Sequence, residues 1–236
     1  MTPIWITGFA TTFVGAGIGG LISILMNGYR RSTGTLYAAC AGAILGMMGF
    51  EIVPEVLEYG GWATVAAGFL AGLFLFWMIH LVFHFPTRPS GRKTDKPVFL
   101  LTLAIIIHNF PIGIMMAAGD PVEMSASLMQ TLVLHNVPEG MILFMPLVAA
   151  GLKFVAMFMI TFLIAFPVGA GAVFGEMLGL QHERLSAFLI SLSVGMIYRI
   201  ATKEIYPEAV RLSSNAYSLF VAVVSFLLMG LFLLWV

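Results

Sequence analysis

Eight apolar stretches of about 20 residues each occupy nearly the whole chain. A stretch of this length is what a helix needs to cross a hydrocarbon core of about 30 Å. Only 9% of the 236 residues are charged, whereas soluble domains typically have about 25%. The chain is therefore predicted to be an all-α, multi-pass membrane protein that forms a single transmembrane domain over residues 1–236. The predicted spans are 4–27, 34–57, 62–84, 98–119, 125–150, 152–179, 184–210 and 214–236.

Basic residues are concentrated in the loops that follow the odd-numbered spans. These loops contain Arg30, Arg31, Arg88, Arg92, Lys93, Lys96, Lys153 and Arg211. In the loops after spans 2, 4 and 6, Arg184 is the only basic residue. Because Lys and Arg are enriched in cytoplasmic loops, the basic loop at 85–97 is predicted to be cytoplasmic and both termini to face away from the cytoplasm. The compact architecture favours the plasma membrane, meaning the inner membrane of the cell.

The composition and motifs make nucleic-acid binding, cysteine-based sites and enzymatic activity unexpected. The few basic residues sit in short loops, so nucleic acid is not an expected partner. Cys40 is the only cysteine, which leaves no disulfide framework and no cysteine-based zinc cluster within one chain. No His-Glu-x-x-His string occurs, and neither intramembrane histidine discussed below has a carboxylate residue next to it in the sequence to act as a general base. The protein is therefore predicted not to be an enzyme.

A His-Asn-x-Pro motif occurs twice, in spans 4 and 5, beginning at His108 and at His135. Polar groups are costly in hydrocarbon, so a functional site is the default interpretation. Each histidine lies about ten residues from the start of its span, which corresponds to ~15 Å and hence to the middle of the bilayer. Since consecutive spans are antiparallel, the two His-Asn pairs are predicted to lie at the same depth.

The donor groups of these motifs suit a divalent cation. His135 and Glu139 are four residues apart and share one helix face. Two imidazoles and a carboxylate favour Zn²⁺, with Fe²⁺, Mn²⁺, Co²⁺ or Cd²⁺ as further candidates. The alternative to metal binding is a structural role, since His and Asn also form hydrogen bonds between membrane helices. The predicted metal ligands are His108, Asn109, His135, Asn136 and Glu139.

Two acidic segments share the pattern Glu-x-x-Pro-Glu, one near the outer end of span 2 and one near the inner end of span 7. Each places two carboxylates on one helix face, so they are candidate entrance and exit ligands for an ion, or merely solvated helix ends. The four residues are Glu51, Glu55, Glu204 and Glu208.

With these motifs the sequence resembles the ZIP family of divalent metal transporters, most completely in the segment from His135 to Gly140. The resemblance implies a 3+2+3 arrangement, in which helices 1–3 and 6–8 form inverted repeats around a hairpin of helices 4 and 5. It also implies a secondary transporter that moves a divalent cation, Zn²⁺ first, toward the cytoplasm by alternating access at a midplane site. A homodimer is the oligomeric state that the family suggests. The metal would be a transported substrate and not a prosthetic group.

The chain departs from the family pattern at two positions. Ile112 stands where members usually carry a glutamate, and Phe166 stands before Pro167 where many carry another. One metal site is therefore expected instead of a two-metal centre. Arg199, near the middle of span 7, would either pair with Glu139 and weaken metal binding or point into an inner vestibule. These features keep open an altered-specificity or non-transporting relative, such as a metal-sensing receptor or a carrier of another solute.

Overall fold

The computed structural model describes residues 3–26, 30–82, 95–118, 126–178 and 183–234. Every regular element in these ranges is helical, which confirms the all-α prediction. The predicted loop at 85–97 lies outside the described residues as far as residue 94, and the next helix already begins at Asp95. The helices are α1 (Ile4–Leu25), α2 (Arg30–Met47), α3 (Val53–Val82), α4 (Asp95–Ala118), α5 (Ala126–Ala149), α6 (Phe154–Leu178), α7 (Glu183–Ile200), α8 (Tyr206–Leu212) and α9 (Asn215–Leu233).

These helices make eight passes because two passes are built from more than one helix. The second pass runs from α2 into the first turns of α3, and it ends where Gly61 adopts a positive φ of 73° that breaks α3. The seventh pass runs from α7 into α8. Six passes are long and apolar enough to cross a membrane, while α4 and α5 have shorter apolar stretches, Ile105–Ala117 and Leu132–Val148. Both His-Asn-x-Pro motifs lie inside these apolar stretches of α4 and α5.

The packing of the helices has the twofold relation expected for inverted repeats. Helix α1 packs on α5 as α6 packs on α4, and α3 packs on α7 as α2 packs on α9. Helix α4 also meets α7, just as α5 meets α2. Exchanging passes 1, 2, 3 and 4 with passes 6, 7, 8 and 5 therefore converts each of these contacts into another one. The 3+2+3 arrangement is confirmed.

Pairs of glycines four residues apart let these helices approach closely. In each of the four helix pairs, a Cβ added at these glycines would collide with atoms of the partner helix, in most cases with its backbone. Small residues in such a spacing are typical of close helix contacts in membranes. The glycines are Gly15 and Gly19 against α5, Gly42 and Gly46 against α9, Gly68 and Gly72 against α7, and Gly171 and Gly175 against α4.

Two short π-helical segments repeat at corresponding places in the second and seventh passes. They are Met48–Ile52 and Ala201–Ile205, and each has five residues. Both carry their glutamate, Glu51 or Glu204, at the fourth position, and a proline follows each segment by two residues. A π segment inserts extra backbone into an α-helix and often marks a functional site. The twofold relation therefore holds residue by residue in these segments, so that Glu51 corresponds to Glu204.

Candidate metal centre

Three of the predicted ligands meet in the interior, at the contact of α4 with α5. His108 comes from α4, while His135 and Glu139 lie one turn apart on α5. They are exposed to only 3%, 6% and 3%. The Nε2 atoms of His108 and His135 lie 3.3 Å and 3.1 Å from the same carboxylate oxygen, Oε1 of Glu139. The structure thus brings two imidazoles and one carboxylate to a single point.

The distances between these donor atoms suit a small divalent cation. One ligand atom from each of the three residues lies within 4.8 Å of the other two. Around a tetrahedral zinc ion with bonds near 2.05 Å, ligand atoms are roughly 3.4 Å apart. The two nitrogen–oxygen distances already have about this length. Within the described part of the chain, these three residues form the one group of at least three His, Cys, Asp or Glu side chains that could hold a metal.

Several polar atoms of the centre are buried without a hydrogen-bond partner among the described residues. They are Nδ1 and Nε2 of His108, Nε2 of His135, Oδ1 of Asn109 and both carboxylate oxygens of Glu139. A buried polar atom without a partner costs about 1–3 kcal/mol, and a charged one costs more. A bound cation would satisfy one nitrogen of each imidazole together with the oxygens. Their chemistry therefore fits a metal site.

The two asparagines also hold the helices together. Nδ2 of Asn109 donates to the carbonyl of Ile164 on α6 at 2.7 Å. Nδ2 of Asn136 donates to the carbonyl of Leu132 at 2.7 Å, and it lies 3.5 Å from Oγ1 of Thr12 on α1. Because the amide nitrogen of Asn109 is engaged with α6, its oxygen is left available to an ion. Interhelical bonding and metal binding are therefore compatible at this residue.

A serine on α7 contacts the backbone of the centre. The buried hydroxyl of Ser193 donates to the carbonyl oxygen of His108 at 3.3 Å. Neither Ser193 nor Thr12 was predicted as part of the site. Each of the two spans contains several hydroxyl residues, and their spacing does not reveal which of them faces the centre.

The predicted entrance and exit glutamates lie in different surroundings. Glu51 is half-buried and close enough to His135 for their charges to interact, whereas Glu55 is exposed. Glu204 is half-buried and lies within electrostatic reach of Arg199. The fourth is Glu208, whose carboxylate accepts hydrogen bonds from Nε and Nη2 of Arg211, the first at 2.8 Å.

Arg199 does not fill the centre. It is half-buried, and among the described residues the ion-pair contacts of Glu139 are those with the two histidines. Of the two alternatives that the sequence left open, pairing with Glu139 is therefore not what the structure shows.

The two positions that depart from the family pattern add no ligand. Phe166 is 57% exposed on the outer face of α6. Ile112, one turn beyond His108, is half-buried and apolar. Among the described residues, no further carboxylate joins the group formed by His108, His135 and Glu139.

Comparison with known protein families also points to a metal transporter family. A model of the ZIP zinc transporter family matches residues 88–236, which is more than half of the chain and includes both His-Asn-x-Pro motifs. No curated protein matches the chain. The family match, over a helical membrane fold with a buried histidine and glutamate group, confirms the resemblance seen in the sequence. The chain belongs to the ZIP family of zinc transporters.

Proposed function

We propose that the protein is a secondary transporter that moves a divalent cation, with Zn²⁺ the leading candidate, toward the cytoplasm by alternating access. The observation that carries this proposal is the buried group of His108, His135 and Glu139. Its donor atoms lie at the spacing of a tetrahedral metal site and lack other partners among the described residues. Binding between the inverted repeats, near the middle of the bilayer, is where such transporters hold their substrate. No enzymatic role is proposed.

In this proposal one ion is bound at a time. His108, His135 and Glu139 are the primary ligands, and Oδ1 of Asn109 supplies a fourth, neutral donor. The amide nitrogen of Asn136 donates to Leu132 within α5 and lies near Thr12 of α1, so only its oxygen would be available to the ion. Neutral donors favour reversible binding, because an ion held only by anionic ligands leaves slowly. The apolar side chains at positions 112 and 166 argue against a second ion.

The four outer and inner glutamates define the path of the ion in this proposal. Glu51 and Glu55 attract cations on the entrance side, and Glu204 and Glu208 receive them on the exit side. Glu51 fits this role well because it lies within electrostatic reach of His135. Glu208 would have to leave Arg211 to bind an ion, so we expect it to act weakly.

Uptake into proteoliposomes tests the proposal. Reconstituted protein is expected to take up Zn²⁺, and competing Fe²⁺, Mn²⁺, Cd²⁺ and Co²⁺ reveal its preference. His108→Ala is expected to lower uptake at least tenfold, since loss of groups that support a metal already costs 10–100-fold. His80→Ala removes an imidazole from α3 and serves as the matched control. Uptake that survives His135→Ala combined with Glu139→Ala would contradict the proposed site.

A second candidate is a ZIP-type protein that binds metal without transporting it, or that carries another solute. The apolar residues at 112 and 166 and the engaged carboxylate of Glu208 favour it. Binding of Zn²⁺ to the purified protein together with no uptake into vesicles would support this candidate over the transporter.

A further inference from the structure

We infer that Ser193 is a positioning residue that sets the affinity of the centre by holding the His108 turn of α4 against α7. The inference rests on the proposed function, because it takes His108 to be a ligand. It assigns a role to a residue that lies outside every motif of the sequence.

The inference rests on the hydrogen bond that the Ser193 hydroxyl makes to another helix. Serine and threonine in a helix commonly bond to the carbonyl four residues earlier in the same helix. Thr161, Thr11 and Thr202 do this here, with distances of 2.9, 2.9 and 2.7 Å. Ser193 is only 2% exposed, and its hydroxyl reaches across to α4. Its acceptor is the backbone carbonyl of the ligand residue itself.

The way the helices are grouped explains why this bond matters. Helices α1, α4, α5 and α6 pack mainly on one another, while α7 packs mainly on α3. The centre lies at the contact of α4 with α5, and α7 reaches it through the bond from Ser193 to the carbonyl of His108. His108 is the ligand contributed by α4, whereas the other two are fixed to each other by one turn of α5. A bond at the His108 backbone therefore controls how closely α4 presents its imidazole to Glu139.

Removing the hydroxyl should loosen this ligand without removing it. Hydrogen bonds between membrane helices are modest in strength, so Ser193→Ala is expected to weaken Zn²⁺ affinity about threefold. Ser193→Thr keeps the hydroxyl and is expected to restore affinity. The matched control is Ser191→Ala, since Ser191 is equally buried on α7 and its hydroxyl has no hydrogen-bond partner among the described residues.

The test is a Zn²⁺ titration of the purified full chain by calorimetry, with thermal unfolding measured on each variant. Weaker binding by Ser193→Ala, with Ser193→Thr and Ser191→Ala close to wild type, supports the inference. Unchanged affinity in Ser193→Ala, or an equal loss in Ser191→Ala, overturns it. A lower unfolding temperature with unchanged affinity also overturns it, since that is a purely structural role. If His108→Ala binds Zn²⁺ like wild type, the proposed function fails, whereas lost binding there beside unchanged Ser193→Ala overturns only this inference.

Discussion

At the scale of single residues, the carboxylate of Glu139 is the critical group. It is buried between two imidazoles, and both of its oxygens lack hydrogen-bond partners in the described part of the chain. An incompletely paired buried charge reduces stability, and replacing such charges by neutral groups is often neutral or stabilising. The buried carboxylate is therefore better explained by a role in binding than by a role in folding.

Glu139→Gln is therefore expected to separate binding from stability. The amide keeps the shape of the side chain but loses its charge, so we expect Zn²⁺ affinity to fall at least about tenfold and the unfolding temperature to stay the same or rise. Calorimetric Zn²⁺ titration and thermal unfolding in detergent measure the two effects. Glu176→Gln, at an exposed position of α6, is the matched control. Wild-type affinity in Glu139→Gln would show that the carboxylate is not a ligand.

The sequence predicted that His108, His135 and Glu139 lie close together because these residues belong to a repeated motif. Their role as metal ligands stays a prediction. The spacing of His135 and Glu139 on one helix face, and the equal depth of His108, are local properties that periodicity reveals. Ser193 and Thr12 escaped prediction because their role depends on how α7 and α1 are rotated against their neighbours. That rotation is set by tertiary packing, and the sequence does not show which of several hydroxyl residues in a span faces its neighbour.

At the scale of helices, glycine pairs set the distance between neighbours. The predicted spans agree with the observed helices to within a few residues, as in the first span, predicted at 4–27 and observed at Ile4–Leu25. The glycine spacing is also present in the sequence, but it acquires meaning only when the partner helix is known. The π segments could not be predicted, because an extra backbone residue has no signature in hydrophobic periodicity.

Gly19→Ala is expected to disturb the packing of α1 on α5. Its Cβ would collide with the carbonyl oxygen of Val137, and overpacking of this kind costs about 1–3 kcal/mol. Gly17→Ala is the matched control on the same helix, because its Cβ would meet no described atom within 4 Å. That variant should be as stable as wild type or slightly more so, given the higher helix propensity of alanine. Equal unfolding temperatures for the two variants in detergent would argue against a tight contact at Gly19.

At the scale of the whole molecule, the twofold relation places equivalent glutamates on opposite halves of the protein. Glu51 and Glu204 occupy the same register in their π segments, one in each repeat. The family match and the helical passes establish a multi-pass membrane protein. Its orientation, its location in the plasma membrane and its assembly as a homodimer stay predictions.

Cysteine labelling on intact cells checks the orientation. Leu234→Cys, at an exposed site near the C-terminus, is expected to react with a membrane-impermeant maleimide. Lys153→Cys, also exposed and in a predicted cytoplasmic loop, is expected to react only after the membrane is opened. The native Cys40 is buried and should contribute little background. Labelling of Lys153→Cys alone on intact cells would reverse the predicted topology.

The outward direction of Phe166 has a consequence for redesign. An acidic residue installed there would point at acyl chains, where it would be costly and far from any cargo. Position 112 differs, because it lies one helical turn beyond His108 and so on the same face of α4. Attempts to add a carboxylate to the group of His108, His135 and Glu139 should therefore begin on α4, because a glutamate at position 166 would lie on the exposed face of α6.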